Sequence, residues 1–89
     1  MENINNLKDT VEMMVDGDYK ERFKAEYYQT KIRYEKLKAF NNRIEAANLM
    51  KMDEPEHDCP LELLKQQQRA MGEYLHVLEI RAVIEKIEL

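Results

Sequence analysis

Lys20, Lys24, Tyr27, Lys31 and Lys38 project within about 60° of one another on a helix, with Tyr28 at their edge. Amines at that spacing can meet phosphates, and a tyrosine face can stack on a purine. Arg22, Glu26, Gln29 and Arg33 gather on another side of the same stretch. There arginine can grip phosphate with two parallel bonds and glutamine can read an adenine edge. Further on, Gln67, Gln68, Arg69, Tyr74 and Arg81 flank apolar positions and need polar partners wherever they are covered. Together these make Arg22, Lys24, Tyr27, Tyr28, Gln29, Arg33, Gln68, Arg69, Tyr74 and Arg81 the candidate ligand-binding set. A wet, ion-paired helix surface accounts for the same charges, and core packing is the plainer account of Tyr27 and Tyr34, which sit in the seam itself.

Signals for catalysis are weak by comparison. The chain has no glycine-rich phosphate loop, no Gly-x-Ser-x-Gly and no His-Glu-x-x-His. His57, Asp58 and Cys59 are consecutive, and three neighbouring side chains on an extended segment diverge instead of converging on a metal. His57 reads as a solvated loop residue, Cys59 as a helix-start residue and His76 as a surface histidine. The expectation is a protein that is not an enzyme and uses no cofactor or metal.

Composition narrows the class further. Eighty-nine residues make one small domain with a thin core. Only two glycines and two prolines, with 44% hydrophobic and 36% charged residues, suit long amphipathic helices and exclude turn-rich β folds. The single cysteine excludes a disulfide framework and fits a reducing cytosol. No leader pattern and no run of about 18 apolar residues points to secretion or to a membrane. A net charge of −4 argues against a DNA or RNA partner. The distribution is nonetheless uneven. From Tyr19 to Glu45 eight basic residues (Lys20, Arg22, Lys24, Lys31, Arg33, Lys36, Lys38, Arg43) oppose four acids (Glu21, Glu26, Glu35, Glu45), a local +4 that could attract a small anion.

The elements that must position these groups follow from hydrophobic spacing. Ile4, Leu7, Val11 and Met14 mark a short helix over about 4–15. Asp18 is the expected N-cap of a long helix over about 19–49, with Glu21 in capping-box position. Its seam, Phe23, Tyr27, Thr30, Tyr34, Leu37, Asn41 and Ile44, keeps a 4-3 alternation, with Asn41 as a register-fixing polar insertion. An acidic linker over 50–59 follows. Pro60 then opens a second long helix over about 60–88, with Asp58 or Cys59 as its cap. Leu61, Leu64, Gln68, Met71, Leu75, Leu78, Ala82 and Leu89 form that helix's seam. Val77, Ile80, Ile84 and Ile87 form a second stripe about 120–200° away. A helix in a simple hairpin needs one apolar face, so the second asks for a cover, from the N-terminal helix or from another subunit. The expected fold is all-α: an antiparallel hairpin of two long helices plus the short N-terminal helix, assembled as a homo-oligomeric bundle through Val77, Ile80, Ile84 and Ile87.

The stretch DYKERFKAEYYQTKIRYEKLKAF and, after the linker, CPLELLKQQQRAMGEYLHVLEIRAVIE resemble a family of small phage and prophage proteins filed under a crAss-like phage gene. The resemblance covers residues 18–89. It is carried by Arg22, Glu26, Tyr27, Arg33, Leu37, Phe40, Leu63, Leu64, Gln67 or Gln68, Ala70, Met71, Tyr74, Leu75, Leu78 and Arg81. Asn41 and Asn42 stand where that family commonly has an aliphatic pair. What the resemblance implies is a phage counter-defence setting in the host bacterial cytosol. There, small helical assemblies block Thoeris or related signalling by holding cyclic ADP-ribose-type or cyclic dinucleotide messengers between subunits. The expected partner is therefore a small adenine-nucleotide signal as well as self. A helical protein–protein adaptor without a small ligand is the alternative.

Overall fold

In a computed structural model the described residues are Leu7 and 18–89. Two helices fill that range, α1 (Tyr19–Met50) and α2 (Leu61–Glu85), with no strand among the described residues. The expected short helix over 4–15 lies outside the described residues, Leu7 apart.

Each boundary has a local cause. Asp18 is extended and its Oδ1 accepts from Lys20 N at 2.9 Å, satisfying one of the amides that a helix start leaves unpaired. Glu21 takes an i,i+3 contact with Lys24 at 3.5 Å. At α2 the expected cap differs: Pro60 itself occupies the N-cap, and its carbonyl receives Leu63 N and Leu64 N at 3.1 and 3.2 Å. Neither Asp58 nor Cys59 caps, because proline's fixed φ already sets the extended-to-helical corner one residue later.

Both helices stop in the same way. Lys51 and Lys86 adopt left-handed φ values of 57° and 58°. The following amides fold back, Met52 N onto Ala47 O at 2.9 Å and Ile87 N onto Ala82 O at 2.8 Å. Glycine normally holds that position, since a Cβ is disfavoured there. Lys51→Gly and Lys86→Gly should each raise stability by about 0.5–1 kcal/mol in denaturant melts.

The hairpin is antiparallel, as its cross-links show. Tyr27 pairs with Glu79 toward one end, and Asn41 pairs with Gln68 toward the other. The α1 seam is buried at Phe23, Tyr27, Asn41 and Ile44, and the α2 seam at Leu75, Leu78 and Ala82. Asn41 is 1% exposed; its Nδ2 donates to Gln68 Oε1 at 3.0 Å, while its Oδ1 has no hydrogen-bond partner. A register displaced by one residue would strand both amides among aliphatic neighbours, so this layer selects one alignment at a cost in stability.

The second helix is shorter than its spacing suggests, and the difference changes one assignment. Because α2 ends at Glu85, Ile87 is not part of the outer stripe. The turn at Lys86 swings Ile87 inward, where it is 6% exposed and packs with Phe23, Tyr27, Leu75, Leu78 and Ala82. Leu89 and Tyr28 lie against the same cluster, and Lys20 Nζ reaches the Lys86 carbonyl at 3.5 Å. Val77, Ile80 and Ile84 do stay outside, 51%, 48% and 72% exposed, and Val83 joins them at 80%.

Candidate functional site

The two seams meet along the hairpin's middle, so residues one step off each seam line its two flanks. The first flank is hollowed. Tyr34 lies over Gly72, where a Cβ would stand only 3.2 Å from the tyrosine ring. Removing that one carbon lets ring and helix meet, and a hollow opens on each side of the contact. The smaller, about 180 Å³, is lined by Tyr27, Lys31, Tyr34, Glu35, His76 and Glu79, among others. The larger, about 580 Å³, adds Gln68, Arg69, Glu73 and Val77. Cations and carboxylates are mixed here. Tyr27 donates its hydroxyl to Glu79 Oε2 at 2.6 Å, and Lys31 Nζ sits 5.8 Å over the Tyr27 ring. Burial, reinforced by the Glu79 carboxylate, pushes the Tyr27 hydroxyl above the usual phenol range, so it remains a donor.

The opposite flank is richer in arginine. Arg22, Glu26, Gln29 and Arg33 follow at i, i+4, i+7 and i+11 along α1, one continuous stripe. Tyr74 and Arg81 meet that stripe from α2. Tyr74 donates to Glu26 Oε1 at 3.1 Å, and Arg81 reaches the Tyr19 hydroxyl at 3.5 Å. Arg81 also stacks 5.0 Å over Phe23 and grips Glu85 through Nε at 2.7 Å and a second nitrogen at 3.3 Å. Burial, with the Glu26 bond next, raises the Tyr74 hydroxyl above its ordinary value.

The ten candidates from the sequence therefore fall into groups. Arg22, Gln29, Arg33, Tyr74 and Arg81 share the arginine flank. Tyr27, Gln68 and Arg69 border the hollows instead, with Gln68 occupied by Asn41 and Tyr27 by Glu79. Tyr28 stacks edge-on against Tyr27 at 5.1 Å and packs on the core, and Lys24 leans on Glu21. Tyr34, Lys31 and His76 were outside the candidate set although they line the hollows. The 4-3 seam assigned Tyr34 to packing, and nothing in the spacing showed that Gly72 would face it.

Among the described residues no group of three or more His, Cys, Asp or Glu could hold a metal ion, and no helix is long and apolar enough to cross a membrane. His57 is more engaged than a solvated loop residue: its Nε2 lies 2.8 Å from Glu54 Oε2 and its Nδ1 2.6 Å from the Cys59 carbonyl. No curated protein and no solved structure matches the chain. One family model does, the one described as Sequestin, a name that suggests a sequestering binding protein. It matches residues 17–84, which span the N-cap, α1, the linker and nearly all of α2, and on that match the chain belongs to the Sequestin family.

Proposed function

We propose that this chain is a non-enzymatic sponge of phage type, acting in the host bacterial cytosol. It takes up a small adenine-containing immune signal, of the cyclic ADP-ribose or cyclic dinucleotide kind, and so inhibits host defence of the Thoeris type. The observation that carries this reading is the arginine flank. Arg22, Arg33 and Arg81 stand on one surface with Tyr74 and Gln29, a combination able to bind phosphate, stack on a base and read its edge. Membership of a family named for sequestration supports binding in place of turnover.

One hairpin supplies only one wall for such a ligand. Val77, Ile80, Val83 and Ile84 stay about half exposed or more, and covering them would contribute up to about 1.5–3 kcal/mol each. A second copy would cover them and supply the facing wall of the pocket.

Calorimetric titration against cyclic ADP-ribose isomers and cyclic dinucleotides tests the reading. The expected result is saturable heat with one of them, and recovery of the nucleotide unchanged. Arg33→Ala should leave the mass in solution as it was and weaken capture about 10–100-fold or more, the cost of a charge-assisted phosphate contact of about 1.5–3 kcal/mol. Absence of heat with every nucleotide would remove the proposal. A second reading, a helical adaptor for another protein, is favoured by the same exposed aliphatics; in that case the purified chain would be monomeric and silent to nucleotides.

A further inference from the structure

The linker Lys51–Pro60 joins the helices at the closed end of the hairpin, away from both flanks. We propose that it is held by a proton: charged His57 clasps the linker through both ring nitrogens, and neutral His57 releases it. The argument is one of donors and acceptors. Nδ1 lies 2.6 Å from the Cys59 carbonyl oxygen and Nε2 2.8 Å from Glu54 Oε2. A carbonyl and a carboxylate only accept, so both nitrogens must carry hydrogen to make both bonds, and a neutral imidazole carries one. Loss of the proton sets a ring lone pair against an oxygen lone pair at one of the two short contacts.

The surroundings favour the charged ring. From the linker, Glu54 faces it directly and Asp58 acts at longer range. From α1, the Phe40 ring meets it edge-on at 6.3 Å and 86°, and Asn48 bonds Glu54 from behind. The cations that share Phe40's face of α1 are Lys36 and Arg43, one turn to either side. From α2 the first-turn charge is Glu62. The Glu54 bond, then the Cys59 carbonyl, raise His57 above the ordinary imidazole value, while the same His57 bond lowers Glu54. Because the folded-state value is raised, the clasp is fully present below the free-histidine value of about 6.5 and is lost as pH climbs through the raised one. Once it opens, Asp53, Glu54, Glu56 and Asp58 are left in a short run with no histidine cation among them. Their mutual repulsion then favours a more extended linker.

Imidazole NMR of the full chain across pH 5–9 (roughly two units either side of neutrality) tests this together with amide exchange in the linker. The wild type should titrate His57 above the free value, with amide protection over residues 53–59 falling in the same pH interval. Glu54→Gln keeps a hydrogen-bond acceptor but removes the charge, and it should lower the midpoint and shift the loss of protection with it. His57→Phe should leave the linker exchanging at the unprotected rate at every pH while the helices stay protected. Titration at or below the free value, a midpoint unchanged in Glu54→Gln, or protection that ignores the titration would each overturn the clasp.

Discussion

Ile80→Asp should give a chain that folds as a hairpin but sediments and elutes at the mass of one copy. The wild type should run at a multiple of 10.7 kDa. Ile80 is 48% exposed and is no member of the buried cluster, so a carboxylate there costs the hairpin little. In a self-associated state the same carboxylate would be set among Val77, Val83 and Ile84 of both copies. An unpaired buried charge costs several kcal/mol, enough to shift a self-association constant by two or more decades. Light scattering after size exclusion reads the outcome, and an unchanged circular dichroism spectrum shows that the fold survived. If wild type and variant both run as single copies, the shared pocket has no second wall.

Ile87→Asp should do the reverse and unfold the hairpin. Ile87 is 6% exposed and closes the cluster of Phe23, Tyr27, Leu75, Leu78 and Ala82. The substitution forfeits about 2–3 kcal/mol of burial and adds the cost of a carboxylate in an apolar site, so a loss of about 4 kcal/mol or more is expected. That is most of the stability available to a domain of this size. A melting curve should show a large drop or no folded baseline. Ile87→Val, which keeps the packing and trims one methyl, should cost only about 1 kcal/mol. The pair Ile80 and Ile87 thus separates two jobs that one periodic stripe seemed to share: Ile80 faces outward, and Ile87 completes the core.

The misassignment of Ile87 has a definite cause. Helical spacing places Ile87 with Ile84 and Ile80 as long as the helix continues, and no glycine or proline near the end of α2 announces a stop. The stop is made by Lys86, a residue with no special claim to a left-handed conformation. It is accepted because the return bond from Ile87 N to Ala82 O and the burial of Ile87 outweigh the local strain. Tertiary packing decided a local conformation there. Pro60 is a milder instance, a cap displaced by a single residue. Asn41 went the other way: its place in the seam was legible, and Gln68, also read as a seam position, proved to be its partner.

The site divides along similar lines. That Arg22, Glu26, Gln29 and Arg33 share a side is a consequence of 3.6 residues per turn and needs no neighbour to be true. Which α2 residues join them is a question of register between helices, and only the paired structure brings Tyr74 to Glu26 and Arg81 to Tyr19. It likewise brings Gln68 and Arg69 to Tyr27's flank and leaves hollows beside the Tyr34 ring, where Gly72 lies beneath it. Periodicity along one chain is enough to determine two amphipathic helices, the cap at Asp18 and, as far as each helix continues, the stripe that a side chain belongs to. How stripes on different helices align, and where a helix ends when no breaker is present, depends on contacts between residues far apart in sequence, whose energies no local pattern contains.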